Sequence, residues 1–117
     1  MAERHVWIVN NDLPAEVADE YNRWYVETHI PQILGVRGFV SGERLEVSPV
    51  QLGSKPPELR RYLSIFEIEG DPAEAFAGLR SALADGRVEP SPVTGSVATS
   101  ASFVPLTPRR TAAQGHS

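Results

Sequence analysis

The 117-residue sequence contains no cysteine. Disulfides, thiolate metal sites and cysteine nucleophiles are therefore excluded, and nothing in the chain points to an oxidising compartment. No apolar run approaches the roughly 20 residues a membrane helix needs, and the opening MAERHVWIVNND lacks the basic segment and apolar stretch of a secretory signal. A soluble cytoplasmic protein is the expectation. With 11 basic against 15 acidic residues and a pI near 5.3, the chain has no basic stripe for a phosphate backbone, so neither nucleic acid nor a membrane is expected as a partner. The glycines form neither a phosphate loop nor a dinucleotide fingerprint, no Gly-x-Ser-x-Gly elbow occurs, and the histidines lack metal-ligand spacing. No cofactor and no metal are expected.

What is present suits one small domain, since 41% hydrophobic residues in a chain of this length supply a single core. RHVWIVN, residues 4–10, is short and β-branched and ends in a turn-forming Asn10-Asn11-Asp12, which reads as a strand. Asp12 is placed to cap a helix with Pro14 in its first turn and Glu16, Asp19 and Glu20 at its positive end. That helix is expected to run to His29, because Pro31 pushes Ile30 out of the α region, with one extra turn from Pro31 to Gly35.

A second strand follows at 39–47, with Phe39, Leu45 and Val47 on one parity and Val40 on the other. Three prolines and a glycine make 48–58 a loop. The third strand, at about 60–68, is apolar on both faces, with Leu63 and Ile65 opposed to Tyr62, Phe66 and Ile68. Asp71 and Pro72 start a second helix that Gly86 ends, and Ser96–Val104 is the last strand. Residues 1–105 form the domain, and 106–117 are expected as a flexible tail that a partner subunit could catch.

The order β-α-β-β-α-β is that of ferredoxin-like α+β folds, a four-stranded antiparallel sheet with two helices on one face. Strands that are apolar on both parities require the other face to be covered too, and a second copy of the chain is the simplest cover. A homodimer is expected.

One stretch carries chemistry. In YNRWYVETHIP, residues 21–31, Tyr21, Tyr25 and His29 follow one another at i+4 beside a stripe of Leu13, Val17, Tyr21, Trp24 and Thr28, while Glu20, Arg23 and Glu27 take the other side. A polar-tipped aromatic wall is costly to bury dry, so a pocket accounts for these residues together. The plainer alternative is a core helix whose C-terminal histidine interacts with the dipole. His5 shares the parity of Trp7 and Val9 in the first strand. If that parity faces the helices, His5 could approach the cavity of His29; otherwise it lies at the dimer interface. Glu43 and Glu67 are weaker candidates for a pocket wall, and His116 falls in the tail.

The run Trp24-Tyr25-x-x-x-His29-x-Pro31-x-x-Leu34, followed by Gly38-Phe39-Val40 and the Glu43-Arg44 strand, resembles the EthD-like branch of the dimeric α+β barrel superfamily. The resemblance spans roughly residues 4–104, its specific part being 24–44. It implies a homodimer of face-to-face sheets with a small pocket in each subunit between sheet and helices. It also implies that His29 is the polar group of that pocket and that His5 matches a first-strand histidine found in some cyclases. The superfamily covers cyclases, isomerases, monooxygenases, haem-degrading enzymes and dehydratases, so the fold does not select a reaction. This chain lacks the later-strand histidine of haem-binding relatives.

The leading expectation is a cofactor-independent enzyme of the cyclase, isomerase or lyase type, acting next to the carbonyl of an apolar aromatic or polyketide-like compound. His29, with His5 as a second candidate, moves the proton; Tyr25 or Tyr21 donates to the developing oxyanion; Trp24, Phe66, Trp7 and Phe39 line the pocket. The alternatives are a non-catalytic EthD-like accessory protein that binds a hydrophobic metabolite, and a monooxygenase working with or without haem.

Overall fold

The computed structural model describes residues 4–55, 59–92 and 97–113. The elements follow in the order β1 (Arg4–Asp12), α1 (Ala15–Trp24), a π-helical turn (Tyr25–His29), α2 (Ile30–Leu34), β2 (Phe39–Glu46), β3 (Tyr62–Glu69), α3 (Pro72–Asp85) and β4 (Val97–Phe103). The strands form one sheet in the order β2-β3-β1-β4, and each neighbouring pair is antiparallel. This is the expected β-α-β-β-α-β fold. Tail residue His116 and the loop residues 56–58 lie outside the described residues.

The second long helix forms as its sequence dictates. Asp71 accepts a hydrogen bond from the Ala73 backbone at 2.9 Å, Pro72 fills the first turn, and Gly86 closes the helix at φ 85°. At the first helix the structure corrects the expectation. Pro14 occupies the cap position without a side-chain hydrogen bond, and Asp12 belongs to β1, where its carboxylate accepts from the Arg61 backbone at 2.7 Å. The sheet outbids the helix for Asp12.

Pro31 likewise does not end the helix, since Ile30 keeps φ −60° and ψ −50° and α2 runs on to Leu34. The adjustment occurs one turn earlier. The backbone N–H of Ile30 bonds to the carbonyl of Tyr25, five residues back. A proline removes one helical hydrogen bond and crowds the carbonyl four residues before it, and widening the preceding turn re-phases the ladder at that place.

β2 holds the second correction. Phe39 pairs with Ile68 but Ser41 with Glu67, so a bulge at Val40 inserts one residue, and Gly42, Arg44 and Glu46 then face Phe66, Ser64 and Tyr62. Phe39 points to the helices and Leu45, opposite Leu63, to the other face, so the two share a parity but not a face. Gly42 is needed at the step after the bulge, because a Cβ there would lie 2.8 Å from the Phe66 ring.

The core lies between the helices and this inner sheet face. Phe66, Ile68 and Ala82 are fully buried, with Ile33, Val36, Phe39, Leu79 and Val88 around them. Burying one side chain of the Phe66 kind contributes about 2–3 kcal/mol. The opposite face carries Ile8, Leu45, Leu63, Ile65 and Phe103, all partly or largely exposed in the single chain.

Candidate functional site

Where α1 gives way to the π turn, four aromatic rings come together. Tyr21 lies 5.6 Å from Trp24 and 6.0 Å from Tyr25, centroid to centroid. The His29 imidazole stacks on Trp24 at 4.7 Å and meets Tyr25 edge-on at 4.8 Å. Tyr25 is only 4% exposed, whereas Trp24 and His29 are half-buried. The expected aromatic and histidine group is thus assembled on one side of the molecule, with His29 inside it rather than on a solvated helix end.

Burial holds the His29 pKa down to about 4, a hydrogen bond to the Glu89 backbone opposes it, and the charge of Arg44 reinforces it. The imidazole is therefore neutral at pH 7. Its Nδ1 is buried without a partner, which leaves the Glu89 bond to Nε2 and places a free lone pair on Nδ1. The segment after α3 is held in place by a two-way clasp, in which Gln32 Nε2 donates to the Glu89 carboxylate at 2.9 Å and the Glu89 backbone N–H donates to Gln32 Oε1 at 2.8 Å. Burial also raises the Tyr25 pKa, with Ser64 and Arg44 pulling the other way, so its phenol stays protonated.

Arg44 completes the cluster, and the sequence reading assigned it no role. Its guanidinium carbon lies 4.3 Å from the Tyr25 ring centroid, 5.3 Å from that of Tyr62 and 5.7 Å from that of Tyr21. Contacts of this kind contribute roughly 0.5–2 kcal/mol each. Nε donates to Asn22 Oδ1 at 3.0 Å and Nη1 to Ser64 Oγ at 2.8 Å. Burial lowers the Arg44 pKa from its ordinary value, against the pull of Tyr25, Tyr21 and Tyr62. The bulge at Val40 is what turns Arg44 inward, and an uninterrupted alternation from Phe39 places Leu45 there instead. A glycine two residues before an arginine was the one available signal.

The other predicted residues gather elsewhere. Trp7 packs on Phe66 at 5.2 Å, Phe76 at 5.4 Å and Phe39 at 6.0 Å, forming an apolar group beneath α3. The parity of His5 does face the helices, but His5 pairs with Ile68, four residues along β1 from Val9 and its partner Ser64. That puts it about 13 Å along the strand from the level at which Tyr25 meets the sheet. His5 and His29 are not brought together as ring partners, for the His29 ring contacts are Trp24 and Tyr25. Glu67 accepts from Arg4 and Ser41 on the opposite sheet face, and Glu43 is exposed on that face.

Two of the clefts on the helix side border the aromatic groups. One, of about 370 Å³, is lined by Val17, Glu20, Tyr21, Trp24 and Pro92, so its inner wall is the outer side of the His29 cluster. The other, of about 520 Å³, runs between α3 and β4 and is lined by Trp7, Phe76, Leu79 and Leu83 against Arg80, Ser100 and Ser102.

The antiparallel ferredoxin-like sheet thus carries an aromatic-walled cleft of small-molecule size and, behind its wall, a half-buried neutral histidine. Solved structures carry the same fold. A candidate monooxygenase from Shewanella loihica PV-4 superposes with a TM-score of 0.63 at 12% identity, covering 92% of this chain and 98% of that one. The haem degrader MhuD from Mycobacterium tuberculosis, with two haems in its active site, does so with a TM-score of 0.62 at 18% identity, covering 88% and 96%. A dimeric ferredoxin-like protein from an uncultured marine organism gives 0.53 at 11%, covering 92% and 98%. At these identities the likeness is one of fold, the ferredoxin-like fold. No family model matches the sequence, and no curated protein does.

Haem in one of these structures makes His29 worth testing as an axial ligand. It does not fit. Nδ1 is buried, the ring face is covered by Trp24, and the other nitrogen bonds to the Glu89 backbone. Among the described residues no three His, Asp or Glu side chains converge on a point that would hold a metal ion, and no helix is long and apolar enough to cross a membrane.

Proposed function

We propose that the protein is a small-molecule enzyme that moves a proton next to a carbonyl of an apolar aromatic or polyketide-like compound, in a cyclisation, isomerisation or elimination. The observation that carries this reading is His29 Nδ1, a buried lone pair with no partner on an imidazole that is neutral at pH 7. In the proposed step the Trp24 ring turns off the imidazole to open the way from the cleft, the C–H proton passes to Nδ1 and its electron pair moves into the carbonyl. The resulting enolate oxygen accepts a hydrogen bond from the protonated Tyr25 phenol. The imidazolium then returns the proton to another carbon or to a leaving group. A base with a pKa near 4 suits a C–H already acidified by two flanking carbonyls. Substrate enters by the 370 Å³ cleft, with Tyr21 and Trp24 as its aromatic wall. Trp7, Phe39 and Phe66 belong to the apolar group beneath α3 and do not line this cleft.

The homodimer belongs to this proposal. The exposed apolar face of Ile8, Leu63, Ile65 and Phe103 requires cover, and a second copy supplies a face of the same shape. One observation favours a non-catalytic binding protein instead, since Tyr25 is 4% exposed and the cleft stops at its neighbours Tyr21 and Trp24.

The test is deuterium incorporation from solvent between the two carbonyls of benzoylacetone, followed at pH 5.5, where exchange in buffer is slow. The wild type is expected to accelerate it, and His29→Gln to lose about 10²–10⁴-fold. Equal rates in the two proteins would leave the binding reading.

A further inference from the structure

The remaining oddity of the cluster is a cation without a counter-ion. Arg44 Nη2 is buried and has no hydrogen-bond partner, although Nε and Nη1 are both engaged. The ion pairs among the described residues are Arg4–Glu67, Arg61–Glu46 and Arg87–Asp85, and Arg44 is in none of them. The ring faces of Tyr21, Tyr25 and Tyr62 attract the charge but offer no acceptor to the two N–H groups of Nη2. A half-buried charge without a counter-ion costs stability, and a bound anion offsets that cost.

The bonds from Asn22 and Ser64 hold the guanidinium plane in one orientation, so the free edge is preorganised. Tyr21 links the guanidinium to the nearest cleft. It lines the 370 Å³ cleft and is also one of the rings around the guanidinium. A volume near the lower end of the range for small-molecule sites admits a compound of one or two rings. Its ring would lie on Trp24, and an acidic group would reach past the Tyr21 ring. Glu20 is also on the cleft wall, but it is exposed, and water screens it.

We infer that Arg44 recognises a carboxylate, and that the ligand of this site is a small aromatic or polyketide-like acid. The inference rests on the reading of the His29 cluster as a ligand site, but not on any reaction there. Fork-shaped recognition of a carboxylate is what the guanidinium provides and an ammonium does not.

The probes are 1-naphthoate and 1-naphthamide, titrated into ¹⁵N-labelled protein. The two tryptophans report separately, because Trp24 lines one cleft and Trp7 the other. Naphthoate is expected to shift the Trp24 indole and the Arg44 Nε–H saturably and to leave Trp7 unmoved. It should bind at least about tenfold tighter than the amide, and Arg44→Met should reduce that preference to within about twofold. Arg44→Lys, which keeps the charge without the fork, should retain only part of the preference and serves if the methionine variant does not fold. Equal affinities in the wild type, no saturable response of Trp24 to either compound, or a preference undiminished in folded Arg44→Met or Arg44→Lys would each overturn the inference. Carboxylate preference without deuterium exchange would keep it and sink the proton-transfer reading; exchange without the preference would do the reverse.

Discussion

Trp24 and His29 stack with their rings 24° from parallel although they are five residues apart in the chain. In an α-helix, positions i and i+5 point about 140° apart and their rings cannot meet. The π turn from Tyr25 to His29 brings them to the same face by adding one residue to the turn. The stack shields the imidazole from water, and burial is the largest cause of its low pKa.

Removing the shield should therefore release the base. In Trp24→Ala the His29 pKa is expected to climb from about 4 towards 6.5, by at least about one unit. An NMR titration of the His29 ring protons reads this directly. An unchanged value in the variant would mean that something other than the stack keeps the ring dry.

The same shift ties stability to pH. Between about 4 and 6.5 the unfolded chain binds a proton at His29 that the folded chain does not, so stability is full above 6.5 and is lost as the pH falls through this window. The loss amounts to at most about 3 kcal/mol. Urea denaturation at a series of pH values should show the slope in the wild type and a flatter profile in His29→Gln. Parallel profiles would show that His29 is accessible to protons when folded.

Gly42→Ala tests the step after the bulge. Its Cβ would sit 2.8 Å from two carbons of the Phe66 ring and 3.2 Å from Ile30 Cγ2, and fully buried Phe66 has nowhere to go. A loss of about 1–3 kcal/mol in chemical denaturation is expected. A neutral substitution would show that the sheet edge can shift to make room.

The bare sheet face tests the proposed dimer. Ile65 lies on central strand β3, opposite Glu43 on β2 and Ile8 on β1. Light scattering should give the wild type twice the mass of one chain and Ile65→Lys the mass of one, because a two-fold contact brings the new charge against its own copy. A wild type that is monomeric at tens of micromolar would remove the argument from the apolar face.

Much of this architecture is legible in the chain. The parity of Leu63 and Ile65 against Tyr62, Phe66 and Ile68 holds across β3, and the Asp71-Pro72 start and Gly86 stop of α3 are both observed. The gathering of Tyr21, Trp24 and Tyr25 follows from helical spacing, because successive turns stack the same face. Asp12 and Pro31 misled for a common reason. Each is a sound local signal overruled by a longer-range hydrogen-bonding demand, the Arg61 backbone in one case and the continued helix to Leu34 in the other.

The candidate site shows the limit most clearly. Residue order and local propensity alone determined the six regular segments, the apolar character of both sheet faces and the place of the aromatic helix. They could not determine the entry of Arg44 into the cluster, the stacking of His29 on Trp24, or the separation of His5 from both. Arg44 and His29 each sit just beyond one inserted residue, the bulge at Val40 and the widened turn at Tyr25–His29. Such an insertion reverses or rotates every side chain after it. Its stability comes from what it meets across the fold, here the β3 ladder and the buried Phe66 ring. Only the packed tertiary structure supplies those contacts.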